Sequence, residues 1–395
     1  MANHSARFVV YLKWFFLAVT GTTLFLLILL IVINLPDEEL LPEAQAFRTL
    51  PLIPISAADN GYIYRMGFDA PEGDDPARFG QERIDRLLAA KASGSFVDSE
   101  NGNKIEFHGN KGHLCSLGPD SSCLDKLGDK ALIESTLNKN RELLARYTRL
   151  IRYKAAIQDN TSVNAAIWRV GPVRLAQRLY LTKTVLEWQA GNRQKAIELL
   201  VADLNFWRSN MEHGRSLIDK VIATAVIRNA LQVFDEFAQS ENFGSGLAET
   251  ALKAVPEFSE QELDMSLAWQ SEFAMGSQAI WDDKPTFGTK DSWFDLLATK
   301  LFFKPNATLN DIYRVIRLNI ENDRRILFGD NTSATEHYFD TDVDDDLLGI
   351  LYNPMGKIVA TMMMRDEGES YAKRSKDTDL LLKEIRKRLR EKVRR

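Results

Sequence analysis

Residues 14–36 read WFFLAVTGTTLFLLILLIVINLP, and no side chain in that stretch is charged. A bilayer core of about 30 Å needs about 20 apolar residues in a helix, and residues 14–35 supply them. A helix buried in a soluble domain is seldom apolar on every face for so long. The stretch also exceeds the apolar part of a cleaved secretory signal, about 7–15 residues. Ala44-Gln45-Ala46 has the small-residue form of a cleavage site but lies far beyond the apolar run. The sequence therefore predicts an uncleaved transmembrane anchor over 14–35.

The flanks set its direction. Arg7 and Lys13 precede the run, whereas Asp37, Glu38, Glu39 and Glu43 follow it. Basic residues stay on the cytoplasmic side. Residues 1–13 are then a cytoplasmic tail and everything after Leu35 is outside. Residues 36–60, with Pro36, Pro42, Pro51 and Pro54 among acidic residues, read as a linker. Residues 61–395 read as an extracytoplasmic domain, long enough for a substantial core.

The formal net charge of −5 includes the two basic residues ahead of the anchor, so the outer part carries −7. That balance argues against a nucleic-acid partner. Positive charge is concentrated in Lys383–Arg395, which holds eight basic and two acidic residues and leaves about −13 on 36–382. Leu382, Ile385, Leu389 and Val393 make a narrow apolar stripe on that helix. Two destinations follow for its basic face, which includes Arg386, Lys387, Arg388 and Arg390. One is docking on the chain's own acidic domain, and the other is binding anionic lipid headgroups.

The two cysteines, Cys115 and Cys123, flank the turn-forming segment Ser116–Ser122. Outside the cytoplasm such a pair is expected to be bonded. Before it, Ser95-Phe96-Val97 and Lys104-Ile105-Glu106-Phe107 flank Asn101-Gly102, a pattern predicting a β-hairpin over 94–108. Tyr62-Ile63-Tyr64 is a short extended candidate, and Arg83–Ala92 reads as a helix.

From Leu124 onward the periodicity is helical. One long helix is predicted through Leu132, Leu143, Tyr147 and Leu150. Another begins near Pro172 and stops at Gly191-Asn192, and the next carries Ala196, Leu200, Leu204 and Trp207. A further helix is expected over Ser216–Ala238. Ser259-Glu260-Gln261-Glu262 is a capping-box pattern, and helices follow over 309–326 and 376–395. The Gly-Asn turn with its following Lys195-Ala196-Ile197-Glu198-Leu199-Leu200 resembles a tetratricopeptide unit. Stacked repeats need about three copies, and only this one has the signature. The expected fold is mainly α: an N-terminal transmembrane helix, then an irregular helical bundle with a small β-hairpin near its start.

Candidate chemistry is thin. His108 and His113 lie near the cysteines but match no zinc spacing. Asp340–Asp346 begins like a calcium loop, yet Asp345 stands where glycine is needed and Leu351 where a bidentate glutamate is needed. Met355, Met362, Met363 and Met364 fit core filling. Ala131–Ser135, with Glu134, resembles the catalytic segment of lysozyme-like lytic transglycosylases but lacks their downstream glycine-rich stretch. Ser370-Tyr371-Ala372-Lys373 has the form used by penicillin-recognising enzymes without the companion Lys-Thr-Gly. No phosphate-binding glycine loop and no His-Glu-x-x-His occurs. No cofactor, metal or catalytic residue is assigned.

Three groups of segments carry a resemblance. They are Asn60-Gly61-Tyr62 with Gly67-Phe68-Asp69-Ala70-Pro71, then Lys304-Pro305-Asn306-Ala307-Thr308-Leu309-Asn310, then Tyr352-Asn353-Pro354-Met355-Gly356-Lys357. Together they resemble an uncharacterised group of membrane-anchored proteins of Gram-negative bacteria. The resemblance implies an inner-membrane anchor and a periplasmic domain, and no activity. Two function classes follow: a cell-envelope interaction or assembly protein that holds another envelope protein, and an envelope hydrolase acting through carboxylates on the cell wall. For the first, an exposed aromatic anchor is wanted, and Trp281, ahead of the polar loop Asp282-Asp283-Lys284-Pro285, is the tryptophan expected to be exposed.

Overall fold

The computed structural model describes residues 2–52, 54–93, 104–115, 117–118, 122–126, 128–158, 168–282, 292–329, 351–364 and 371–395. Among these residues the regular structure is helical, and an isolated parallel bridge joins Asn60 to Ala155. In chain order the helices are α1 (Ala2–Ile33), α2 (Pro42–Phe47), α3 (Tyr62–Met66), α4 (Pro76–Ser93), α5 (Cys123–Lys126), α6 (Lys130–Lys139), α7 (Arg141–Leu150), α8 (Val170–Gln189) and α9 (Arg193–His213). They continue as α10 (Leu217–Gln239), α11 (Ser245–Ala254), α12 (Glu260–Leu263), α13 (Ser266–Asp282), α14 (Trp293–Phe302), α15 (Pro305–Phe328), α16 (Pro354–Met364) and α17 (Tyr371–Arg394). The chain divides into two compact units, one of residues 1–49, 276–319 and 333–367, the other of 50–275, 320–332 and 368–395. Residues 61–395, read from the sequence as one domain, are shared between them.

The larger unit is built around α8, α9 and α10, with α17 laid against α10 and α11. The turn after α8 is closed by Gly191 in the left-handed region (φ 86°), which glycine adopts without a Cβ penalty. Trp188 then stacks on Phe237 with ring centroids 4.2 Å apart. Capping follows local chemistry: Ser216 accepts the Asp219 N–H at the start of α10. Ser259 and Glu262 form the expected capping box, although α12 ends after one turn.

Several expectations are corrected here. The segment Tyr62–Tyr64 is helical, because the Asn60 side chain accepts the Tyr62 N–H and turns the chain into α3. The long helix over 132–150 is two helices broken at Asn140. That buried side chain accepts the His108 N–H at 2.9 Å and donates to the His108 and Thr136 carbonyls. A helix-interior asparagine that finds such partners competes with the helical ladder. The turn of the predicted hairpin lies outside the described residues. Its second arm, residues 104–108, is not a strand, and no strand occurs among the described residues. Of the C-terminal stripe, Leu382, Ile385 and Leu389 are fully buried, whereas Val393 is exposed.

In the smaller unit, α1 is one continuous helix, and the residues from Tyr11 to Ile33 are long and apolar enough to cross a membrane. The expected linker contains α2. Its acidic start is bound rather than free: the Asp37 carboxylate accepts the N–H groups of Asn306 and Ala307 at 3.1 and 3.2 Å and so caps α15. Asn310 completes the join, donating to Glu38 and the Glu39 carbonyl and accepting the Leu41 N–H.

Candidate functional site

The residues singled out by sequence do not converge. Glu134 is exposed on α6 and sits opposite Lys130 in an i,i+4 pair, an environment unlike that of a buried general acid. His108 is exposed and His113 lies 3.4 Å from the Thr136 hydroxyl, and no described group of three or more metal-ligating side chains is assembled. The acidic run 340–346 and Ser370 lie outside the described residues. The sulfurs of Cys115 and Cys123 stand at disulfide distance, with Cα atoms 4.8 Å apart and both residues buried. The loop they close is fastened at each end. Thr182 accepts the Cys115 N–H, and the Glu236 carboxylate accepts the N–H groups of Cys123 and Leu124.

Trp281 is half-buried, not exposed. The Arg48 guanidinium lies 3.9 Å from its ring centroid and donates to Ser277, so its face is already covered by its own unit. The basic residues of α17 are mostly engaged as well. Arg386 donates to the carbonyls of Leu252 and Val255, Arg388 pairs with Asp235 at 2.8 Å, and Arg390 pairs with Glu257 at 2.8 Å. Lys387 is exposed. The basic helix is therefore docked on acidic and carbonyl groups of its own unit.

Buried ionisable groups of the larger unit form structural networks. Asp203 accepts from Tyr147 and, at 2.9 Å, from Gln177, while the Trp207 indole donates to the Tyr147 hydroxyl at 2.8 Å. Burial pushes the Asp203 carboxyl up to about 6 and raises the Tyr147 hydroxyl well above its ordinary value. Arg208 makes a bidentate pair with Glu262, at 2.6 and 2.8 Å, and caps the Pro256 and Glu257 carbonyls. Arg146 is held in a cage of carbonyls from Phe68, Ala70, Pro71 and Asp74. Lys220 donates to the Asp264 carbonyl, and burial brings its amine down to about 8 against the pull of Asp264 and Asp323. The buried carboxylates Asp69, Asp203, Glu262, Asp323 and Asp379 each bind a group of their own chain.

Sequence reasoning missed the junction at the end of α1. Asn34, fully buried, donates to the carbonyls of Leu30 and Leu351, both at 2.9 Å, and accepts the Asn353 N–H at 2.8 Å. Asn353, in the left-handed region at φ 51°, accepts the Lys304 N–H at 2.8 Å and donates to the Thr308 hydroxyl at 3.0 Å. Two of the three segment groups quoted for the resemblance, 304–310 and 352–357, thus meet at the exit of the apolar helix. The available signal was Asn34 itself, a strongly polar side chain closing an apolar run.

A second feature is an open groove of about 800 Å³ in the larger unit, lined by Gly191, Asn192, Arg193, Lys195, Asn242 and Leu247 among others. The starts of α9 and α11 border it, and neither has a side-chain cap, since Asn192 turns to Glu187 and α11 opens on Gly244. Arg193 Nε is buried there without a protein acceptor. Glu198 is the carboxylate on its wall and accepts from Gln194 at 3.0 Å.

No protein-family model, curated protein or solved structure matches this chain.

Proposed function

We propose that this protein is a membrane-tethered holding protein of the cell envelope. On this reading α1 spans the inner membrane of a Gram-negative cell, and the helical units stand in the periplasm, where they keep another envelope protein in place. The observation that carries the reading is the junction at Asn34. From Tyr11 to Ile33 no residue of the apolar helix is buried within the protein, so a bilayer is the medium that would cover it. Its end is locked by side-chain hydrogen bonds into a folded unit. A tether fixed in this way holds the smaller unit at a defined place on the membrane, which suits a holding role.

The groove beside Gly191-Asn192 is the surface on which a partner would be held. Two uncapped helix starts and the Arg193 guanidinium favour an acidic partner segment, and Leu247 offers an apolar contact. The hydrolase alternative gains no support, because the described buried carboxylates are each tied to their own chain and the groove carries one carboxylate rather than two.

The test uses the full chain with a photo-crosslinking amino acid in place of Leu247. Washing membranes with alkaline carbonate should leave the protein in the pellet. Illumination of cells should give one dominant protein adduct, lost when Arg193 is also changed to Glu. Extraction by carbonate would remove the tether reading. The absence of any adduct from the groove, with the protein abundant and membrane-bound, would remove the holding role.

A further inference from the structure

The smaller unit carries an exposed apolar face. On α14, Trp293 is 74% exposed, Leu296 49% and Leu297 45%. These positions, with exposed Lys300, fall at i, i+3, i+4 and i+7 and so share one side of the helix. Helix α14 packs against α16, where Ile358 is 55% exposed. Single exposed apolar residues need no explanation, but a tryptophan and three aliphatic residues on two packed helices do.

The position of α16 supplies the explanation. Its first residue follows Asn353, which is hydrogen-bonded to Asn34 at the end of the apolar helix. Ile358 is five residues further on, so at about 1.5 Å per residue it lies roughly 7–8 Å along α16 from that point. The headgroup layer on one side of a bilayer is about 5–8 Å thick, from a total of about 40–45 Å around a core of about 30 Å. Ile358 is therefore tied, through named contacts, to the level at which α1 would leave the membrane, and α14 packs against the helix that carries it.

We propose that α14 and α16 form a second, peripheral membrane contact, in which Trp293, Leu296, Leu297 and Ile358 rest in the headgroup region of the leaflet from which α1 emerges. The inference depends on the anchor reading above. Tryptophan is enriched at that depth because its ring is apolar and its N–H is polar. Lys300, one turn beyond Leu296 and Leu297, can lay its stem along the lipid surface with its ammonium toward phosphate. The result is a two-point attachment: one helix through the bilayer and one helical pair on its surface, which limits how the unit tilts.

The experiment uses the full chain in nanodiscs of mixed neutral and anionic phospholipid. The environment-sensitive fluorophore NBD is attached in turn at Leu296→Cys, Ile358→Cys, Phe25→Cys and Lys253→Cys, without reduction so that the native cysteines stay bonded. Lipids spin-labelled in the headgroup or near the acyl-chain end serve as quenchers. Phe25 lies in α1, and Lys253 is an exposed residue of α11. The probes at 296 and 358 should be quenched by headgroup-labelled lipid roughly twofold or more beyond the probe at 253, and the probe at 25 by chain-end label. Unquenched probes at 296 and 358, with 25 quenched, would overturn the peripheral contact and leave the anchor standing. An unquenched probe at 25 would overturn both. Disulfide crosslinking of two copies through Leu296→Cys in nanodiscs, with that site unquenched by lipid, would assign the face to a second copy instead.

Discussion

Asn353 donates its backbone N–H to the Asn34 side chain at 2.8 Å, across 319 residues of sequence. The same Asn34 amide binds the carbonyls of Leu30 and Leu351. One buried side chain therefore closes the last turn of the apolar helix and fastens it to the segment that opens α16. A buried amide satisfied on both its donor and acceptor sides fixes geometry, because every alternative position leaves a polar group without a partner.

Replacing Asn34 by Ala is expected to loosen this join. The Asn353 N–H would be left buried without an acceptor, at a cost of about 1–3 kcal/mol. Hydrogen exchange on the full protein in nanodiscs reads it directly. The Asn353 amide should exchange roughly tenfold to a hundredfold faster, at about 1.4 kcal/mol per factor of ten. Asn34→Asp keeps an acceptor and should retain most of the protection. Unchanged exchange in Asn34→Ala would show that the hydrogen bond does not hold the junction.

Gly356 is the third residue of α16, and within helices alanine is favoured over glycine, by up to about 1 kcal/mol in the interior. Here a Cβ would overlap the Thr308 hydroxyl and the Asn353 amide, both held by hydrogen bonds to each other. Gly356→Ala is therefore expected to destabilise by about 1–3 kcal/mol, the usual cost of overpacking. Gly171→Ala, in the first turn of α8 with nothing within 4 Å of its added Cβ, is the control and should be neutral or stabilising. Thermal unfolding of the two variants in detergent gives the comparison. Equal or higher stability of Gly356→Ala would remove the close-packing account.

The helices were legible in the sequence because their signals are local. Gly191-Asn192 stops α8, Ser259 and Glu262 cap α12, and the uncharged run 14–35 lies in one helix as far as Ile33. What was not legible depends on partners far apart in the chain. Asn140 breaks a periodic stretch only because the His108 backbone is there to receive it. Asp37 looks like linker charge and is the cap of α15. Trp281 looks exposed beside a polar loop and is covered by Arg48. The stripe Leu382–Ile385–Leu389 looks narrow in isolation, and its burial against α10 and α11 follows from tertiary packing that periodicity does not encode.

The Cys115–Cys123 pair is expected to resist thiol labelling when the protein is unfolded without reductant. Closing so short a loop should stabilise by about 2–3 kcal/mol on chain-entropy grounds. Mass spectrometry after alkylation in denaturant decides the matter: two added labels would show free thiols, none would show the bond. A Cys115→Ala, Cys123→Ala variant should unfold at correspondingly lower urea.

Leu389 is fully buried and Leu380, on the same helix, is 50% exposed. Leu389→Ala should cost about 2–5 kcal/mol through lost burial and the cavity left behind. Leu380→Ala should stay within about 0.5 kcal/mol. Urea midpoints of the two variants separate a core helix from a solvated basic tail. Similar small effects at both positions would return α17 to the surface role its charge suggests.

Asp203 gives the larger unit a distinct pH signature. Burial raises its carboxyl to about 6 from an ordinary 3.8, while the hydrogen bonds from Tyr147 and Gln177 act in the opposite direction. A carboxyl whose folded-state value is raised favours folding when protonated. Its stabilising share is fully present below about pH 3.8 and is lost as pH rises through about 6. Two pK units correspond to an upper limit of roughly 3 kcal/mol. Other carboxylates also shift stability with pH, so the readout is a difference. Asp203→Asn does not titrate, and the stability of the native protein minus that of this variant should fall between pH 4 and pH 6, then level off. Denaturant titrations at several pH values across that window provide it. A difference that stayed flat, or rose with pH, would mean that the Tyr147 and Gln177 hydrogen bonds outweigh burial and that Asp203 is held as a carboxylate throughout.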